Sequence, residues 1–137
     1  MPLPQIKHCL ICEDIRLERR NLASFMGVYG STPYVSIKIR DFKLPVGFCL
    51  VFFGPPIEGK VDIRLELRTP GGTRLEATIF PQQNEQTFSK ESACTFAFRV
   101  QATFPIPDTY TLILSASGAE FFKETLDLTQ GNDSDFA

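Results

Sequence analysis

Apolar and polar residues alternate along most of this chain with the period of two that belongs to half-buried β-strands. The clearest run is Val61-Asp62-Ile63-Arg64-Leu65-Glu66-Leu67, where every second residue is aliphatic and every intervening one charged. A turn at Thr69-Pro70-Gly71-Gly72-Thr73 follows, since Pro presets φ and Gly supplies positive φ. Arg74 to Phe80 then returns with Leu75, Ala77 and Ile79 alternating against Arg74, Glu76 and Thr78, which predicts a hairpin. From Cys94 to Phe104 the apolar set is Cys94, Phe96, Phe98, Val100, Ala102 and Phe104. Tyr34 to Ile39 presents Val35, Ile37 and Ile39 inward. Near the C-terminus a Pro107-Asp108 turn feeds a strand with Tyr110, Leu112, Leu114 and Ala116 on one face. A Ser117-Gly118 turn reverses it into Ala119 to Leu128.

Phe48-Cys49-Leu50-Val51-Phe52-Phe53 is continuously apolar, so it is expected centrally with both faces covered. Ile6 to Cys12 and Leu22 to Tyr29 complete the set of strands. Between these two, the charged stretch Glu13 to Asn21 is expected as one helical turn or a long loop. Gln82 to Glu91 is polar and is expected as a surface loop; residues 131–137 are expected as a flexible acidic tail. The prediction is one all-β domain over 1–130: an antiparallel β-sandwich of about seven to nine strands with at most one short helical turn.

Composition narrows the picture. A chain of 137 residues with 43% hydrophobic content suits one domain with one core. Thirteen Phe and no Trp point to an aromatic-rich β core. A net charge of -2 gives no electrostatic case for nucleic acid, which calls for a basic face. The run Phe48 to Phe53 is far shorter than the roughly 20 residues of a spanning helix, so no membrane partner is expected. The start, Met1-Pro2-Leu3-Pro4-Gln5, lacks the basic and long apolar regions of a signal peptide. Cytoplasmic location is therefore expected, with the four cysteines reduced.

Candidate chemistry is sparse. His8-Cys9-Leu10-Ile11-Cys12 contains a C-x-x-C spacing used in redox and zinc sites. On a strand, however, positions i and i+3 face opposite ways and lie about 10 Å apart. Cys49 and Cys94 sit inside apolar strands, where small thiols behave as hydrophobes. No metal and no cofactor are expected, and His8, Cys9 and Cys12 are the alternative metal set. His8 is the single histidine, and no nucleophile-elbow, zincin, P-loop or dinucleotide motif is present. Asp62 and Glu66 share a wet strand face with Arg64, and Glu13-Asp14 precede Arg16; no catalytic residue is assigned among them. Candidate partner contacts are Arg16, Arg19 and Arg20, as an anion-binding cluster, and Asp133, Asp135 and Phe136, as an acidic segment ending in an aromatic ring.

Cys12-Glu13-Asp14-Ile15-Arg16, then Gly27-Val28-Tyr29-Gly30, Leu44-Pro45 and Cys49-Leu50-Val51 are similar to a family of small bacterial and phage proteins. Those proteins have a Cys-Asp-Asp-Ile-Arg-like strand end, a Gly-Val-Tyr-Gly strand end and a Cys-Leu-Val strand. This chain departs at Glu13 and at Arg19-Arg20-Asn21, where the family tends to carry Gly and Lys. The family has no established activity, so the resemblance implies kinship without a function. At fold level, Val61 to Thr73 and Asp108-Thr109-Tyr110 resemble the strands of immunoglobulin-like modules. That resemblance implies a tyrosine corner, in which the Tyr110 hydroxyl bonds to backbone a few residues upstream.

The expected function is a non-enzymatic protein-binding or accessory module acting through loops or an exposed edge strand. A phage- or mobile-element-encoded inhibitor of a host complex is a special case. The partner is an unknown protein, with self-association through a sheet edge or face as a variant. Alternatives are a small-ligand or metal-binding domain using His8, Cys9 and Cys12, and a hydrolase running on two carboxylates.

Overall fold

In a computed structural model, which describes residues 3–18, 23–31 and 35–136, the chain is an immunoglobulin-like sandwich of two five-stranded sheets. The strands are β1 (His8–Leu17), β2 (Ala23–Ser31), β3 (Ser36–Ile39), β4 (Val46–Gly54), β5 (Gly59–Arg68), β6 (Ala77–Phe80), β7 (Asn84–Phe88), β8 (Cys94–Ala102), β9 (Asp108–Ala116) and β10 (Ala119–Gln130). One sheet runs β2-β1-β4-β8-β6 and the other β3-β10-β9-β5-β7. A short 3₁₀ turn, Asp133–Phe136, ends the described chain.

Alternation becomes packing directly in the longest strands. Val61, Ile63, Leu65 and Leu67 of β5 face Cys94, Phe96, Phe98, Val100 and Ala102 of β8 across one core, all of them buried. Phe52 lies at its centre, stacked on Phe96 at 5.2 Å and edge-on to Phe98 and Phe122. A phenylalanine removed from water this completely contributes about 1.5–3 kcal/mol, so this aromatic cluster dominates the core. β4 is the middle strand of its sheet and is buried on both faces from Phe48 to Phe52, as its unbroken apolar run requires. The closing hairpin forms as expected. Ser117 and Gly118 take positive φ in the two-residue turn between β9 and β10, a conformation that suits the twist of the flanking strands.

Tyr110 is fully buried. Its hydroxyl donates to the Ile106 carbonyl at 2.7 Å and accepts from the Ile106 amide at 3.3 Å. This is the tyrosine corner that the resemblance implied, and it pins the loop entering β9.

Five expectations are corrected. The sheets hold ten strands, more than the seven to nine expected, and one pair, β3 with β10, is parallel. Of the stretch Glu13 to Asn21, Glu13 to Leu17 is strand, because β1 continues to Leu17 through pairing with β2. Asn84–Phe88 is strand β7, where the sequence pointed to loop; its inward positions include Asn84, whose amide donates to the Ala97 carbonyl at 3.0 Å. The expected hairpin of Val61–Leu67 with Arg74–Phe80 closes only at the Arg68–Arg74 bridge. Beyond it the chain crosses to the opposite sheet, where Ala77–Phe80 pairs with β8.

Residues 131–136 lie against the end of β3. Asp135 pairs with Lys38 at 2.8 Å, and the Arg40 guanidinium sits 4.8 Å above the Phe136 ring. Gly131 leaves room for that ring, since a Cβ there would meet Phe136 at 2.5 Å.

Candidate functional site

The outer face of the β2-β1-β4-β8-β6 sheet gathers most of the chain's unexplained chemistry. Ladder register aligns five residues in one row across it: Val28, Cys12, Cys49, Arg99 and Phe80. Residues opposite each other in a ladder point to the same face, so Cys12 and Cys49 are direct cross-strand neighbours. Both are essentially inaccessible to solvent, yet neither belongs to the core between the sheets.

Their cover is the far half of the β1–β2 hairpin. Phe25 is opposite Ile15 and Phe53 opposite His8, two positions of β1 seven residues apart. A straight strand would separate them by ~23 Å. Their rings nonetheless meet edge-on with centroids 6.2 Å apart. The hairpin therefore bends back over the sheet just after Cys12. At the bend, register shifts between Ile11 and Cys12 and leaves Tyr29 as the extra residue of a bulge, the usual means of bending a strand.

Arg99 fastens the arm. Its Nη1 donates to Asp14 Oδ1 at 2.6 Å and to Cys49 Sγ at 3.6 Å, while Nη2 donates to the Ile15 carbonyl at 3.1 Å. The Cys49 thiol donates to the Glu13 carbonyl at 3.9 Å, a long sulfur contact. The guanidinium bond holds the Asp14 carboxyl below the usual aspartate range, with the Ile15 amide adding to it. Burial pushes the thiols of both Cys12 and Cys49 up, and their mutual proximity raises Cys12 further. At neutral pH both thiols therefore stay protonated under a roof made by one ion pair. An open cleft of about 560 Å³ borders this roof, lined by Glu13, Asp14, Cys49, Phe80 and Arg99 among others.

The other singled-out residues lie elsewhere. His8 is exposed at the start of β1, Cys9 points into the core beside Phe52, and Cys12 faces outward, so the three do not converge. Among the described residues no cluster of three metal-ligating side chains occurs. Cys94 is in the core. Arg16 is exposed on the folded-back arm, and Arg19 and Arg20 lie outside the described residues. Asp135 and Phe136 are engaged by Lys38 and Arg40, while Asp133 is exposed. Asp62 and Glu66 are four residues apart on β5, ~13 Å along the strand, beyond the about 5–9.5 Å of a glycosidase pair. Glu66 is bound to Arg68 at 3.0 Å. Sequence reasoning missed the Asp14–Arg99 pair and the Cys12–Cys49 pairing, because both depend on strand order.

Four strands have only one neighbour among the described residues: β2, β6, β3 and β7. β3 carries Lys38 and β7 carries Glu85, which pairs with Lys60 at 2.5 Å. β6 is four residues long and is followed by Pro81. β2 is different: Ala23-Ser24-Phe25-Met26-Gly27-Val28-Tyr29-Gly30-Ser31 contains no charge and no proline, with Met26 42% and Val28 53% exposed.

No protein-family model and no curated protein matches the chain. Among solved structures it is similar to the periplasmic chaperone SfaE, with 9% identity and a TM-score of 0.49 over 71% of this chain. That match spans 55%, about half, of the chaperone's length. It is also similar to an immunoglobulin-like protein from Pseudomonas aeruginosa, at 14% identity and a TM-score of 0.38, over 86% of this chain and 95% of that one. The fold assignment rests on the two sheets themselves.

Proposed function

We propose that this chain is a protein-binding module that takes up an extended segment of its partner along β2. The observation behind this reading is the contrast among the four edges. Exposed edges present unpaired N–H and C=O groups and are ordinarily blunted by charge, proline or brevity. β3, β7 and β6 each carry such a device, whereas β2 has nine uncharged residues and two exposed apolar side chains. A bulge at Tyr29 bends it and Gly27 takes positive φ without a ladder partner, so the regularly paired part of the edge is Ala23–Met26. An added strand would gain main-chain hydrogen bonds from that edge, and alternate side chains would rest on Met26 and Val28.

The test is capture of partners by the tagged full chain, compared with Met26→Lys and Val28→Lys. A lysine on an edge strand opposes further pairing without touching the core. The reading expects a partner retained by the wild type and reduced about tenfold or more by each lysine, equivalent to ~1.4 kcal/mol. Equal retention by both variants, with unchanged folding, contradicts it.

A further inference from the structure

We infer that Cys12 and Cys49 are a redox pair that closes into a cross-strand disulfide by exchange with glutathione disulfide. The two residues are Cα partners in the β1–β4 ladder and share its outer face. Directly opposed residues in an antiparallel ladder have Cα separations of about 4.5 or 5.5 Å. Both values fall within the 4.4–6.8 Å that a disulfide usually spans. No strand movement is needed to bring the two sulfurs together.

The other two cysteines fail that criterion. Cys9 and Cys94 face inward from β1 and β8, with β4 and Phe52 between them, which puts them ~9.5 Å apart at least. Cys9 and Cys12 face opposite sides of one strand. All four are free in the reduced protein.

The geometry also orders the steps. The Arg99 guanidinium donates to Cys49 Sγ at 3.6 Å, so Cys49 is the better-placed nucleophile. When the hairpin arm lifts, the Cys49 thiol loses its proton to solvent and its thiolate attacks a sulfur of glutathione disulfide. A mixed disulfide forms and one glutathione thiolate leaves. Cys12, as thiolate, then attacks the Cys49 sulfur of the mixed disulfide, and the second glutathione leaves. Two protein thiols are oxidised and one small disulfide is reduced to two thiols. The product joins β1 to β4 at the bend, where the arm departs from the sheet.

The experiment treats the folded, full-length chain with glutathione disulfide at mildly alkaline pH, then alkylates remaining thiols after denaturation and maps the peptides. The expected result is loss of two of the four alkylatable thiols, a mass decrease of two hydrogens and a linked Cys12–Cys49 peptide, all reversed by dithiothreitol. Cys12→Ser is expected to halt at a glutathione adduct on Cys49. Four alkylatable thiols after prolonged treatment would overturn the inference. So would a linkage through Cys9 or Cys94, or intramolecular closure persisting in Cys12→Ser.

Discussion

Phe25 and Phe53 meet edge to face, although the β1–β2 and β1–β4 ladders place their partners on β1, Ile15 and His8, seven residues apart. That contact defines the fold-back of the hairpin, and with it the burial of Cys12, Cys49 and Val51 on a sheet face that would otherwise meet solvent. Aromatic edge-to-face pairs contribute about 0.5–1.5 kcal/mol beyond area burial. Phe25→Ala forfeits the ring's burial as well, so it is predicted to raise the population of the lifted arm by at least roughly two- to tenfold. Alkylation of Cys49 in the native state reads this directly, and should accelerate by that factor while the thermal midpoint changes little.

The arm's second fastening is electrostatic. Arg99 depresses the folded-state pKa of Asp14, so the pair contributes above the pKa of an unfolded aspartate. That contribution is lost as pH falls through the lower folded value. Carboxyl-detected NMR should find Asp14 titrating below an ordinary aspartate, and Arg99→Gln should move its midpoint back up. Asp135, held down in the same way by Lys38, should be unaffected by that substitution.

Tyr110→Phe removes only the hydroxyl that bonds to both backbone groups of Ile106. The expected loss is about 1–2 kcal/mol in denaturant unfolding, because the freed Ile106 groups sit near solvent and are partly rehydrated. Loss well under this would mean that the corner is ornamental.

Asn84 is the one buried polar residue among those described, and its amide ties β7 to the Ala97 carbonyl of the opposite sheet. Asn84→Leu leaves Ala97 without this donor and should cost about 1–3 kcal/mol. The amides of β7 should then exchange faster than those of β5.

Much of the fold could be read from the chain, and the boundary of what could be read is physical. β5, β8 and β9 alternate cleanly because one face is core and the other is wet. Arg74 to Phe80 alternates just as cleanly, yet changes sheet midway, since periodicity reports which side is buried and not against what. β7 escaped notice because Asn84, which it turns inward along with Phe88, is polar and is satisfied by a bond that no local pattern reveals. The far half of β1 reads as loop because Glu13, Asp14 and Arg16 serve an arm lying on another strand's outer face. For the candidate site, Cys49 could be read as a buried cysteine, but its partnership with Cys12 required the β1–β4 register. β2 was legible as a strand; its being an uncharged edge was not.

Amide hydrogen exchange on the captured complex distinguishes binding along β2 from binding at any other edge. Partner binding should slow exchange at the outward amides of Ala23–Ser31 and leave β3, β6 and β7 unchanged. Protection confined to another edge or to loops, with β2 exchanging as in the free chain, would contradict it.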